Sequence, residues 1–125
     1  MIKRYENYKI AVHIPLYVDP KRIHRLKNFR KVCNSFLKLS NKARIFVHSN
    51  KKFKGNKKIK YFFYDFKKIK RHPSILTWFC RDIMEIQKNN FDIFIYCEDD
   101  IHFTKKNFKY WLKYKDECIN NNFNL

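Results

Sequence analysis

Three consecutive carboxylates, Glu98-Asp99-Asp100, form the cluster with the clearest chemistry in this sequence. The chain has 11 Asp and Glu residues, and these three are adjacent, directly after the apolar run Phe91–Cys97. Clustered carboxylates repel one another, and a divalent cation such as Mg²⁺ or Mn²⁺ removes that repulsion by taking their oxygens as ligands. Such a cation can bind a diphosphate and neutralise the charge that develops on it as a leaving group. The alternative is a solvated acidic turn before a helix, where negative charge is mildly favourable.

The apolar run before this acidic segment is one of four predicted strands, each rich in β-branched and aromatic residues. Apolar residues at helical spacing predict three helices between and after them. The predicted strands are Lys9–Val18 (ending near Pro15), Arg44–His48, Lys60–Phe66 and Phe91–Cys97. The predicted helices run from Pro20 to about Leu39, from Ser74 to about Asn89 and from the cap residue Thr104 to about Asn120. Asp19 is the predicted cap of the first helix. The fourth strand is nearly all apolar, which favours a central place in the sheet.

Short buried strands that alternate with helices predict an α/β fold with a parallel-type sheet and flanking helices. A length of 125 residues predicts a single domain. In open sheets of this type, ligands bind beyond the carboxyl ends of the strands. Two segments are expected there, Pro15–Asp19 after the first strand and Glu98–Asp100 after the fourth.

Three stretches of the chain resemble GT-A-fold glycosyltransferases. Phe91–Trp111, FDIFIYCEDDIHFTKKNFKYW, looks like their metal-binding segment, in which a DXD-type or Glu-Asp-Asp motif follows a hydrophobic strand. His72–Trp78, HPSILTW, is similar to an upstream stretch of one group of these proteins, and Ile14–Tyr17 to their nucleotide-binding first strand. The resemblance covers most of the chain and implies a Rossmann-like half-domain that binds a nucleoside-diphosphate sugar with Mn²⁺ or Mg²⁺.

The resemblance also implies roles for single residues. Asp100 would coordinate the metal directly, Glu98 would contact a metal-bound water or the ribose, and Asp99 would support the metal or the sugar. Leu16 and Tyr17 would line the nucleotide pocket, with an exposed loop aromatic as the alternative for Tyr17.

Arg81, on the second predicted helix, would point at the diphosphate, unless it is a plain solvated helix residue. In GT-A enzymes the acceptor site and any catalytic base follow the acidic motif. The chain is therefore expected to be the donor-binding half, truncated at its C-terminus, with its catalytic residues unassigned. The acceptor class (glycan, lipid or protein), the sugar and the nucleotide stay open.

The formal net charge of +18 favours anionic partners, including phosphates, nucleotides and peripheral contact with an anionic membrane. Lys outnumbers Arg 22 to 7, as an AT-rich coding bias produces, so the charge alone does not identify a function. One rival interpretation is a nucleic-acid binder, since Lys51–Tyr61 interleaves cations with aromatic residues. The other is a catalytically incomplete remnant that serves as an interaction module. A single glycine excludes the Gly-rich phosphate-binding loops.

The four cysteines lie far apart and none forms a C-x-x-C pair, so a zinc site is not expected from their spacing. Buried free thiols in a reducing cytoplasm are the preferred interpretation. No apolar run reaches the roughly 20 residues that a membrane-spanning helix needs. The strand histidines His13 and His48 are expected to be core or edge residues.

Overall fold

A computed structural model describes residues 7–120 of the chain, except for the side chains of residues 116 and 118–120. The predicted strands and helices are confirmed, with their ends shifted by a few residues. In chain order, the elements are β1 (Lys9–Leu16), α1 (Arg25–Leu37), β2 (Lys42–Ser49), β3 (Ile59–Phe63), α2 (Ile75–Gln87), β4 (Ile93–Tyr96) and α3 (Lys105–Asn120).

The four strands form one parallel sheet in the order β3-β2-β1-β4. In β1, one of the two inner strands, His13 lies opposite Phe46 of β2 on one side and Tyr96 of β4 on the other. The chain moves outward from β1 to β3 and then crosses back to place β4 on the other side of β1. The predicted parallel α/β architecture is confirmed, and it is compatible with a Rossmann-like fold. The finer assignment to the GT-A type stays a prediction.

Side chains of β1 alternate between two helical layers, as the pleat of a strand requires. Its even-numbered residues belong to a buried cluster that also contains Phe36 of α1 and Phe108 of α3. The odd-numbered His13 faces the opposite layer, where its ring is 2.8 Å from the amide oxygen of Gln87 in α2. The sheet is therefore covered by α1 and α3 on one face and by α2 on the other.

The first predicted helix is divided into two pieces. Asp19 acts as the expected cap, since its carboxylate accepts the backbone N–H of Lys21 at 3.0 Å. It caps a 3-10 helix, Pro20–Arg22, whose backbone N–H at Arg22 donates to the Asp19 carbonyl at 2.9 Å. Bonds between residues three apart are tighter than those of an α-helix. For this reason α1 begins only at Arg25, five residues later than predicted.

Thr104 caps α3, as its sequence position predicts. Its hydroxyl accepts the backbone N–H of Asn107 at 3.3 Å, while the Asn107 side chain accepts the backbone N–H of Thr104 at 3.1 Å. This reciprocal pair satisfies two donors at a helix start. It also fixes the point at which the chain leaves the acidic segment and enters α3.

The prediction that the fourth strand is central is wrong, because β4 is an edge strand of the described sheet. Its apolar composition reflects packing against the helices rather than strand neighbours on both sides, although Tyr96 at its end is exposed. Ile93 packs in the cluster below α1 and α3, and the Tyr96 hydroxyl lies 2.9 Å from that of Thr77 in α2. A pocket of about 300 Å³ lies beside β4 and is lined partly by Phe103 and Trp111.

Cys33, Cys80 and Cys97 are free and buried, which confirms the interpretation of these three as core thiols. The side chain of Cys118 lies outside the described residues. Within the described part of the chain, no helix combines the length and apolar character required to cross a bilayer.

Candidate functional site

The acidic segment Glu98–Asp100 lies where the strand order reverses. Just past β4, the backbone N–H of Cys97 still donates to the His13 carbonyl of β1 at 3.1 Å. The chain then turns, and the N–H of Ile101 donates to the Glu98 carbonyl at 3.3 Å. The carboxylates therefore stand beyond the carboxyl end of β4 and next to β1. The region outside the strand ends at the reversal of strand order is the usual ligand position in open α/β sheets.

The three carboxylates differ sharply in exposure. Glu98 and Asp100 are exposed, whereas Asp99 is buried. Arg25, at the start of α1, donates to the Asp99 carboxylate at 2.9 Å. Burial raises the pKa of the Asp99 carboxyl, and the Arg25 guanidinium offsets only part of that rise. Asp99 thus ties the segment to α1, while the carboxylates on either side of it face solvent.

The segment after β1 is held by a residue that the sequence analysis did not single out as a site residue. Asn50, just after β2, accepts the backbone N–H of Val18 at 2.7 Å and donates to the Val18 carbonyl at 3.0 Å. Tyr17 is exposed and packs edge-on against Phe66, with ring centroids 5.4 Å apart. Leu16 is buried in the core. Of the two predicted pocket residues, Tyr17 therefore presents its side chain to solvent and Leu16 does not.

Arg81 lies on the exposed side of α2. Its guanidinium stands over the Trp78 ring, 5.0 Å from the centroid, which is the geometry of a cation–π contact. Trp78 is also exposed. A role for Arg81 toward a diphosphate stays a prediction.

A second cluster, which we call the histidine cluster, lies inside the protein between the sheet and α2. His13, His48 and Cys80 are each fully buried, and their ligand atoms all lie within 4.8 Å of one another. They come from β1, β2 and α2. The three residues therefore constitute a group with the composition to hold a metal ion.

Hydrogen bonds define the proton positions in the histidine cluster. The Gln87 amide oxygen accepts only, so His13 Nε2, 2.8 Å away, carries a proton. His13 Nδ1 then accepts from His48 Nε2 at 2.9 Å, and His48 Nδ1 accepts the Tyr64 hydroxyl proton at 2.8 Å. A chain of three bonds thus joins two strands, the segment after β3 and α2.

Burial makes every member of this cluster neutral at ordinary pH. It lowers the pKa of His13 and, together with the neighbouring His13 ring, lowers that of His48 to about 3. It also raises the pKa of the Cys80 thiol to about 12. The expectation that both histidines are satisfied within the structure is confirmed, but their convergence with Cys80 was not anticipated.

These features define a parallel α/β protein with one polar segment at the reversal of strand order and one buried imidazole–thiol cluster behind the sheet. Comparison of the chain with protein-family models, with curated proteins and with solved structures gives no match.

Proposed function

We propose that this chain binds a nucleoside-diphosphate sugar, with Mn²⁺ or Mg²⁺, at the carboxyl end of β1 and β4 for glycosyl transfer. The observation that carries the proposal is the arrangement of the acidic segment. Two exposed carboxylates, Glu98 and Asp100, flank a buried one that is bonded to Arg25. The resemblance to GT-A enzymes supplies the reaction class.

The exposed carboxylates suit a hard divalent cation, which takes one or two such ligands and completes its shell with water and phosphate oxygens. When bound, the cation would supply charge neutralisation at the departing diphosphate. In this proposal Asp100 and Glu98 hold the cation. Asp99 is assigned a positioning role, because its carboxylate is already bonded to Arg25 at 2.9 Å.

The segment after β1 would contribute the wall of the nucleotide site. Tyr17 has the exposed ring that such a wall requires, and the Asn50 bonds to Val18 fix the backbone on which that ring stands. Leu16 would contribute through its backbone, since its side chain is in the core. The ring of Tyr17 can stack on a base, and such stacking is worth about 1–3 kcal/mol per base.

Calorimetric titration with a panel of nucleoside-diphosphate sugars, in Mn²⁺ and in chelator, tests the donor site. We expect binding that requires the metal and that disappears in Asp100→Asn. Asp82→Asn is the matched control, because Asp82 is also an exposed aspartate but lies on α2. Its loss of one negative charge should leave the affinity unchanged.

Two outcomes contradict the donor site. One is the absence of binding to the folded protein at any metal concentration. The other is metal-dependent binding that Asp100→Asn and Asp82→Asn weaken equally, which would indicate a general charge effect.

A second candidate function rests on the basic segment between β2 and β3. A pocket of about 380 Å³ there is lined by Arg44, three lysines and the aromatic residues Phe46, Phe53 and Tyr61. Cations next to aromatic rings are typical of surfaces that bind single-stranded nucleic acid. The lysine ammonium of Lys51, however, is itself 6.0 Å from the Phe53 centroid, so that ring is partly occupied.

The two functions differ in their dependence on salt and metal. Affinity for a fluorescent oligonucleotide that falls steeply with salt and does not change in chelator would support the second function. The donor site instead predicts affinity for a nucleoside-diphosphate sugar that disappears in chelator.

A further inference from the structure

We infer that the histidine cluster, His13, His48 and Cys80, is a Zn²⁺ site on the α2 face of the sheet. It is independent of the acidic segment, which lies beyond the strand ends.

The donor set consists of two imidazole nitrogens and one sulfur. Imidazole and thiolate are the usual ligands of zinc, whereas Mg²⁺ and Mn²⁺ prefer carboxylate, carbonyl and water oxygens. The cluster therefore does not suit the cations proposed for Glu98 and Asp100. The two sites would select different metals.

The distances are close to those of a zinc site. His13 Nδ1 and His48 Nε2 lie 2.9 Å apart, and one nitrogen of each ring lies within 4.8 Å of the sulfur of Cys80. Zn–N bonds of about 2.0–2.1 Å and a Zn–S bond of about 2.3 Å place tetrahedral ligand atoms roughly 3.3–3.6 Å apart. Metal binding thus requires the two rings to rotate and their inner nitrogens to separate by about 0.4 Å. A sulfur at the 4.8 Å limit would have to approach by about 1.2 Å.

The partners of the two rings are those that orient metal-bound histidines. A ligating ring usually donates its other N–H to an oxygen acceptor, which fixes the ring and its tautomer. The outer nitrogen of His13 already donates to Gln87, and that of His48 lies 2.8 Å from the Tyr64 hydroxyl oxygen. The two inner nitrogens, His13 Nδ1 and His48 Nε2, face each other at 2.9 Å, so the ion would lie to one side of the line between them and both rings would rotate toward it.

The proton balance of loading follows from the hydrogen-bond chain. The His48 proton moves from Nε2 to Nδ1, where the Tyr64 hydroxyl changes from donor to acceptor, and no proton leaves in this step. His13 keeps its Nε2 proton. Cys80 loses its thiol proton to solvent as the Zn–S bond forms, so the binding of one Zn²⁺ releases one proton.

Metal binding would join β1, β2 and α2 through three metal–ligand bonds and would leave the fourth tetrahedral position to a water molecule. All three ligands are fully buried, and entry of the ion therefore requires the protein to open. The test accordingly adds the metal during refolding from denaturant as well as to the native protein.

The experiment measures Zn²⁺ per chain after refolding and dialysis, and then the visible spectrum of the Co²⁺-substituted protein. We expect one ion per chain, a rise in melting temperature that chelator reverses, and a thiolate-to-cobalt charge-transfer band. Calorimetry in buffers of different ionisation enthalpy should report one proton released per ion.

Cys80→Ala should abolish the charge-transfer band and the retained ion. Cys33→Ala is the matched control, because Cys33 is an equally buried free thiol on α1, at the opposite face of the sheet. It should keep both signals. Gln87→Leu, which removes the acceptor of His13, should weaken Zn²⁺ binding by about 10–100-fold without abolishing it.

The inference is overturned if the refolded wild-type protein retains no Zn²⁺. It is also overturned if the Co²⁺ protein lacks the thiolate band, which would place the metal on exposed histidines. If Cys80→Ala does not fold, the wild-type spectrum and Gln87→Leu decide the question. None of these results depends on nucleotide binding, so the two proposals fail separately.

Discussion

Arg25 and Asp99 should contribute unequally to stability, because only one of them is deeply buried. Side-chain exposure is 36% for Arg25 and 9% for Asp99. Arg25→Met leaves a carboxylate in a desolvated place without its cation, whereas Asp99→Asn leaves an arginine that water can still reach. Removing one partner of a buried ion pair costs about 3–5 kcal/mol, and a hydrogen bond to a charged group about 1.5–3 kcal/mol. Given the exposure of Arg25, we expect a loss of about 2 kcal/mol for Arg25→Met.

Asp99→Asn should change the free energy of unfolding by less than about 1 kcal/mol, because a neutral amide relieves the desolvation and still accepts from Arg25. In the background of the Asp99→Asn variant, the cost of Arg25→Met should therefore fall by about 1 kcal/mol or more. Urea unfolding of the four proteins at pH 7, followed by circular dichroism, measures this cycle. Equal costs for the two single variants, or strict additivity, would refute the account of Asp99 as a buried anchor.

Three further predictions concern the core and one loop. His48 has a pKa of about 3 in the folded protein against an ordinary 6.5, so between these pH values only the unfolded chain binds a proton at His48. The neutral, buried His48 therefore contributes stability above pH 6.5, and that contribution is lost as the pH falls toward 3. In chelator, His48 should contribute a fall of about 2 kcal/mol in unfolding free energy between pH 7 and pH 5. His48→Gln should reduce the pH dependence and leave the part that comes from His13. Gly55→Ala should cost about 1–3 kcal/mol by urea unfolding, since a Cβ there would lie 2.5 Å from the Ile59 carbonyl oxygen; a neutral result would show that the loop moves aside. Phe36→Ala, at a fully buried position, should lower the unfolding free energy by about 3–5 kcal/mol, and a cost below 1 kcal/mol would contradict its place in the core.

The fold was largely accessible from the sequence because its signals are local. Runs of apolar residues at strand spacing and at helical spacing identify β1 to β4 and α1 to α3, and the caps at Asp19 and Thr104 lie where their residue types predict. The position of β4 was not accessible in this way. An apolar run reports cover on the faces of a strand and does not tell whether another strand lies on each side.

The acidic segment and the histidine cluster also differ in how far a local sequence pattern predicts them. The acidic segment is contiguous in sequence and follows a strand directly, so its position beyond the carboxyl ends of the strands could be predicted. Its division into two exposed carboxylates and one buried one depends on Arg25, which is 74 residues away along the chain. The histidine cluster depends on the register of β1 against β2 and on the placement of α2. No local pattern specifies either of these.

The two edges of the sheet should behave differently in concentrated solution. At the β3 edge, Lys60 stands within the strand and Lys57 and Lys58 precede it, and lysines on an edge strand discourage pairing with another chain. The β4 edge is the sequence Ile93–Tyr96, which carries no charge. At low ionic strength the net charge of +18 keeps molecules apart, and added salt screens that repulsion. Self-association should therefore begin at high salt and start from β4, so a lysine placed in that strand would keep the protein monodisperse.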